Sequence, residues 1–273
     1  MPTNPPHLRP PEIPVRHFLR YYAQRKQRLR EPVFCFQVGA NDGKINDPVH
    51  IYFRDYGWSG LLVEPLVDVF ENELKATYAG NSRVTLENVA LAATQGQLPF
   101  YRVAISRSRW ATGLSGFRRE SIQSHIDNGY IQAHAREEGV TVPDDPAAFI
   151  EVIQVATMPV DQLLAKHAVR HFDVLCVDTE GFDLEILKLM DFDRFKPEVV
   201  LFESKNLSDN DYVQAKDLLR KYGYRLYWDR GDTLATHIAF PPLERVKAAA
   251  RVPWQHLKSR LRLARDRLHG AAN

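Results

Sequence analysis

Cysteine is scarce in this chain of 273 residues: Cys35 and Cys176 are the only two, each inside an apolar, strand-like run. Two such residues cannot build a disulfide framework or a cysteine metal site, and they read as buried free thiols in a reducing compartment. No apolar run reaches the roughly 18 residues that a membrane-spanning helix needs. The first residues are basic and proline-rich without an apolar h-region, unlike a secretory signal. These absences set the expectation of a soluble, cytoplasmic protein. GxGxxG is missing, as are the P-loop pattern and any internal repeat, so neither a dinucleotide fingerprint nor a triphosphate cradle is supported.

Strong net charge is also lacking, at +2 overall, but its distribution is uneven. Residues 1–31 carry +5 and residues 244–273 carry +6, leaving −9 for the body between them. An acidic body argues against a core that tracks nucleic-acid phosphates. The basic tails leave open a peripheral contact with an anionic membrane surface, and the composition leaves open a homo-oligomer.

What the chain does have is alternation. Six prolines in residues 1–14 imply irregular structure, and 15–30 is helix-compatible up to Pro32. Strands are expected at 33–38, 60–65, 83–91, 98–104, 152–158, 172–178, 198–204, 224–229 and 233–240. Helices are expected at 47–57, with Asp47 as N-cap and Pro48 at the first helical position, and at 66–79, 159–168, 184–190 and 209–222. Residues 105–150 break the rhythm as an insertion, with a helix near 118–137. A β/α series closed by a hairpin at Arg230-Gly231-Asp232 implies an α/β fold. Its sheet is mostly parallel with an antiparallel C-terminal hairpin and helices on both faces. Three segments follow: a proline-rich, basic extension with a helix (1–31), the α/β domain (32–240), and a basic amphipathic C-terminal helix (241–273) with leucines at 257, 261, 263 and 268.

Three strand ends carry chemistry. Gly39-Ala40-Asn41-Asp42-Gly43 follows a buried strand, and its glycines permit a tight turn and close approach of main chain to a ligand. Glu64-Pro65 ends the next strand, 25 residues after Gly39, where a carboxylate can accept hydrogen bonds from two ribose hydroxyls. Asp178, Glu180 and Asp183 crowd three carboxylates into six residues, which calls for a cation or hydrogen-bond donors. They suit either a cationic cofactor and a positioned hydroxyl, or a Mg²⁺ site in which Asp178 is joined by Glu203 and Asn206.

QVGANDG, LLVEP, NVAL, DVLCVDTEGFDLEIL and VVLFESKNL, in this order, resemble the FkbM family of S-adenosylmethionine-dependent methyltransferases. The resemblance spans residues 33–240 and implies a class I, Rossmann-like methyltransferase fold with seven strands. It also implies methylation of a hydroxyl on a sugar or glycan, or on a polyketide-type small molecule. By position, Gln37 and the loop Gly39, Ala40, Asn41, Asp42 and Gly43 fall along the methionine and ribose portions of the cofactor. Glu64 with Pro65 falls at the ribose, Asn88 with Ala90 at the adenine, and Asp178 and Glu180 beside the methyl group. Gln37 stands where the family usually has an acid, and Cys176 where it often has a lysine.

A sugar hydroxyl must be aligned with the methyl and deprotonated late. Asp178, Glu180, Glu203 and Lys205 are the candidate base or orienting groups, ahead of His125, His134 and His237. In the insertion, Trp110, Ser115 and Arg118 combine a flat apolar face with donors suited to the acceptor. A non-catalytic scaffold that keeps the cofactor pocket is the alternative from a different class.

Overall fold

The computed structural model describes residues 5–241, and the C-terminal helix expected from the sequence lies outside them but for its first residue. Ten strands follow in chain order: β1 (Phe34–Val38), β2 (Ser59–Val63), β3 (Val84–Glu87), β4 (Ala90–Leu91), β5 (Gly96–Val103), β6 (Ile150–Met158), β7 (Val174–Val177), β8 (Val199–Glu203), β9 (Arg225–Asp229) and β10 (Asp232–Thr236). Seven of them form one sheet in the order β3-β2-β1-β7-β8-β10-β9. The first five in that order run parallel, and β10 is antiparallel to both β8 and β9. β1 and β7 are neighbours, with Gln37 opposite Cys176. The order of the strands reverses here, so a crevice opens at their carboxyl ends.

β1, β2, β7 and β8 are short runs of β-branched, leucine and aromatic residues buried on both faces, as a parallel sheet sandwiched by helices requires. Side-chain alternation divides the core. Phe36, Val38, Leu175 and Phe202 pack toward the helices Val160–Lys166, Asp183–Leu189 and Asp209–Lys221. Cys35, Leu62, Cys176 and Leu201 face the opposite layer, where the helix Val15–Leu29 buries Phe18, Leu19, Tyr22 and Ala23. Each such large side chain contributes roughly 1.5–3 kcal/mol, so the N-terminal helix is built into the sheet's flank. It ends at Arg30 in a left-handed conformation, two residues before Pro32. Both cysteines are free and buried.

The structure corrects the sequence reading at several boundaries. Residues 83–91 are two strands: β3 stays in the main sheet, while β4 pairs with β6 in a separate three-stranded sheet of order β4-β6-β5. The turn between them is held by Asn88, whose Nδ2 donates to the carbonyls of Glu64 (2.7 Å) and Pro65 (3.2 Å). The helix expected over 118–137 is two, Arg119–Asp127 and Tyr130–Glu137. Gly129 between them has φ +79°, which glycine adopts without strain. The helix after β1 begins at His50, not at Pro48, with Val49 and not Asp47 at the N-cap position; Asp47 Oδ1, two residues earlier, accepts from the amides of Val49 (2.7 Å) and His50 (2.9 Å). Residues 105–149 fold over the crevice on a small core of their own, including Leu114, Ile122, Ile126, Ile131 and Phe149.

Candidate active site

The loops leaving β1 and β7 touch backbone to backbone. A Cβ on Gly39 (φ +80°) would lie 1.8 Å from the Asp178 carbonyl oxygen, so only glycine lets the loops close. The amides of Gly39 and Ala40 both donate to Val63 O (3.0 Å each), which fastens the same loop to β2. Gly43 packs under Tyr78, where a Cβ would meet the ring at 2.6 Å. The sequence Gly-x-x-x-Gly thus serves two close approaches, one at each end of the turn.

Between these loops and the insertion lies a partly open cavity, lined from both sides by residues of the β1 and β7 loops and of the insertion. One end is apolar, walled by Leu66, Ala90, Phe100 and Phe117, with Phe100 and Phe117 edge to face at 5.1 Å. The other end is polar, with Asn41, Glu64, Asp178 and Glu180 among its lining residues. Glu64 is 4% exposed. Its Oε2 accepts from the Asn41 amide (2.8 Å) and its Oε1 from the Leu66 amide (2.9 Å). Each oxygen retains a second lone pair for a ligand hydroxyl. Burial pushes this carboxyl up to about 7 against these two donors.

Asp178 leaves β7, Glu180 and Asp183 follow it, and Glu203 ends β8 beside them. The ligating oxygens of Asp178, Glu180 and Glu203 lie within 4.8 Å of one another. Asn206 Nδ2 bridges two of these acids, donating to Glu180 Oε2 (2.6 Å) and Glu203 Oε2 (2.7 Å), and Lys205 Nζ pairs with Glu203. Burial, joined by repulsion from Glu203 and Asp178, holds Glu180 and Asp183 well above the usual carboxylate range. Burial likewise raises Asp178 and, with the Asp178 charge, takes Glu203 to about 7. For Lys205, burial favours the neutral form, but Glu203, Glu180 and Asp178 outweigh it and keep the ammonium charged. Asp178 Oδ1 is buried without a hydrogen-bond partner. Glu180 has a left-handed backbone (φ +51°), held in part by Ser121 Oγ, which donates to its carbonyl at 2.9 Å.

Of the residues singled out in the sequence, Gly39, Asn41, Glu64, Pro65, Ala90, Ser115, Asp178 and Glu180 line the one cavity. Ser115 Oγ is buried there without a partner. Others stand behind it. Gln37 Nε2 donates to Asp47 Oδ2 (3.0 Å) on the far face of the sheet. Ala40 packs in that same layer. Asp42 Oδ1 accepts from the amides of Lys44 and Ile45 (3.0 Å each), shaping the loop. Asn88 orients the Glu64-Pro65 backbone. Glu203, Lys205 and Asn206 flank Glu180 from below. Trp110 stacks on His134 at 5.3 Å inside the insertion, and Arg118 bridges Glu185 (2.8 Å) and Asp211 (3.2 Å). Among the lining residues that escaped the sequence reading are Phe100, Arg109, Thr112 and Phe182. Their signal is tertiary, since each belongs to a segment whose local pattern describes only a strand, a loop or a short helix. Among the described residues, no helix is long and apolar enough to cross a membrane.

A solved structure of the methyltransferase FkbM from Methylobacillus flagellatus KT is 13% identical, with a TM-score of 0.44 over 76% of this chain and 44% of that one. The chain thus spans less than half the length of that protein. The N-terminal domain of human METTL16 in complex with SAH is 12% identical (TM-score 0.40), covering 84% of this chain and 72% of that one. A precorrin-6y C5,15-methyltransferase from Geobacter metallireducens GS-15 is 11% identical (TM-score 0.36), covering 80% and 85%. No curated protein matches. A family profile described as the methyltransferase FkbM domain matches residues 37–226, which runs from the glycine loop through the acidic cluster to β9. That match spans more than half of the chain, and the chain therefore belongs to the FkbM family of methyltransferases.

Proposed function

We propose that this protein transfers the methyl group of S-adenosylmethionine to a hydroxyl oxygen of a sugar or glycan. The observation that carries the reading is the meeting, at one cavity, of the glycine loop and buried Glu64 with the cluster Asp178, Glu180 and Glu203 at its polar end. The cavity fits the cofactor in three respects. It has an apolar slot for a base, a buried Glu64 for ribose hydroxyls, and acidic walls for a sulfonium and an ammonium group. When bound, the cofactor supplies an electrophilic methyl group. The chain's own residues then have to orient an acceptor hydroxyl and take its proton. Glu180 is the group we assign to that proton. It lines the cavity, Asn206 fixes its Oε2, and burial raises its proton affinity, as general-base work near neutral pH requires. Asp178 carries an unpartnered oxygen on the same side, suited to the cofactor's positive charge.

A second reading is that Asp178, Glu180 and Glu203 hold a Mg²⁺ ion that lowers the acceptor hydroxyl's pKa. The spacing of their oxygens favours it, and Asn206 would turn its carbonyl oxygen inward. Retention of full activity in excess chelator would exclude this reading. The cofactor assignment is tested by calorimetric titration with S-adenosylmethionine. Wild type is expected to bind, and Glu64→Ala to lose about tenfold or more in affinity, as the loss of charged hydrogen bonds implies. Binding that Glu64→Ala leaves unchanged would remove the cofactor from this pocket.

A further inference from the structure

Arg109 is the one cation among the residues lining the cavity. It begins the short helix Arg109–Thr112 of the insertion, far in sequence from the loop it reaches. Its Nη2 donates to Ile45 O (3.3 Å), and its Nε lies 3.5 Å from Asp42 Oδ1. The guanidinium lies against Gly113, where a Cβ would meet Nη1 at 2.1 Å, so the glycine makes room for it. Thr112 Oγ1, on the same helix, donates to Asn41 Oδ1 (3.3 Å). The insertion is thereby docked on the glycine loop. Yet the dock leaves Arg109 under-used: its Nε is buried without a hydrogen-bond partner. A five-donor fork that makes one long hydrogen bond and one ion pair at 3.5 Å has donors left for another acceptor.

We infer that Arg109 binds the carboxylate of the cofactor's methionine moiety, making the insertion part of the cofactor site as well as the acceptor site. This rests on the S-adenosylmethionine reading above. The charge inventory supports it. The cofactor carries a sulfonium, an ammonium and one carboxylate, while the cavity presents Glu64, Asp178 and Glu180 and a single guanidinium. The guanidinium also sits near enough to Glu64 and Asp178 to favour their ionised forms. It therefore lies at the polar end, beside the loop assigned to the methionine portion. Arginine offers a planar fork to a carboxylate that a lysine cannot reproduce.

Calorimetry with two ligands tests this: S-adenosylhomocysteine, which has the carboxylate, and 5′-methylthioadenosine, which lacks the amino-acid portion. Arg109→Gln is expected to weaken S-adenosylhomocysteine by about 10- to 100-fold, the loss of a charged hydrogen-bonded pair, and to leave 5′-methylthioadenosine within about threefold. Arg109→Lys is expected to restore part of the difference, and it replaces the glutamine variant should that one not fold. Equal weakening of both ligands, or none of S-adenosylhomocysteine, would overturn the assignment to Arg109. Failure of wild type to bind either ligand would instead overturn the cofactor reading on which it rests.

Discussion

β7 and β8 carry acids at both of their ends, and the two ends are treated in opposite ways. At the amino end, Asp173 precedes β7 and Glu198 precedes β8. Lys26, 5% exposed, reaches Glu198 (2.8 Å), Glu31 (3.1 Å) and Asp173 (3.3 Å) from the N-terminal helix. Tyr22 OH donates to Glu198 (2.5 Å), and the Phe34 amide donates to Asp173 (2.9 Å). At the carboxyl end, Asn206 donates to Glu180 and Glu203, Lys205 pairs with Glu203, and Asp183 accepts from the Gly181 amide (3.2 Å). The proton affinities of Asp178, Glu180, Asp183 and Glu203 are raised, and Asp178 Oδ1 and Asp183 Oδ1 stay unpartnered. The knot at the amino end is gathered around one buried ammonium and further hydrogen-bond donors. The knot at the carboxyl end, left open at a cavity, stores unfavourable electrostatics that a cationic ligand can relieve.

The contrast can be broken at its structural end first. Lys26→Met leaves three carboxylates facing each other and is expected to cost about 3 kcal/mol in urea unfolding. That is the low side for a buried cluster, because Glu31 and Glu198 reach solvent. Affinity of the folded variant for S-adenosylhomocysteine should stay at the wild-type value; a loss confined to binding would make Lys26 part of the site.

The carboxyl end is expected to respond to pH. Glu64 titrates at about 7 in the folded protein against an ordinary 4.5, so the folded state holds its proton more tightly than the unfolded state. This contribution to stability is complete below about 4.5 and is lost as pH rises through 7, on the order of 2 kcal/mol between pH 5 and pH 8. Melting temperature of the cofactor-free protein should therefore fall over that range and recover when S-adenosylhomocysteine is added. A Glu64→Ala variant should lose part of the slope, the rest coming from the raised acids Asp178, Glu180, Asp183 and Glu203.

The smallest effect is expected at His171. It lies 3.3 Å from Asp173 but is 64% exposed, and His171→Ala should change stability by less than about 0.5 kcal/mol. A larger change would mean that exposed members of the amino-end cluster carry weight too.

The asymmetry was only half legible in the sequence. Asp178, Glu180 and Asp183 stand close together, so their mutual repulsion is visible from spacing alone. So were the buried strands, whose apolar runs need no tertiary information, and the hairpin turn at Arg230-Gly231-Asp232. Lys26 and Asp173 are 147 residues apart, and nothing local marks Lys26 as buried among basic neighbours. Arg109 was hidden for the same reason: its partner loop lies 64 residues earlier. Residues 83–91 read as one strand because no glycine or proline interrupts them. The break comes from the Asn88 side chain's bonds to the Glu64-Pro65 backbone, which are tertiary.

The most direct measurement uses S-adenosylmethionine labelled with ¹³C in its methyl group, incubated with a panel of sugar, glycan and polyketide-type acceptors, and reads the labelled product by NMR. Wild type should give a methyl on oxygen of a sugar acceptor. Glu180→Gln should bind S-adenosylhomocysteine normally yet turn over about a hundredfold more slowly, the usual share of a general base. A labelled methyl on nitrogen or carbon, or a Glu180→Gln variant as fast as wild type, would contradict the proposed chemistry.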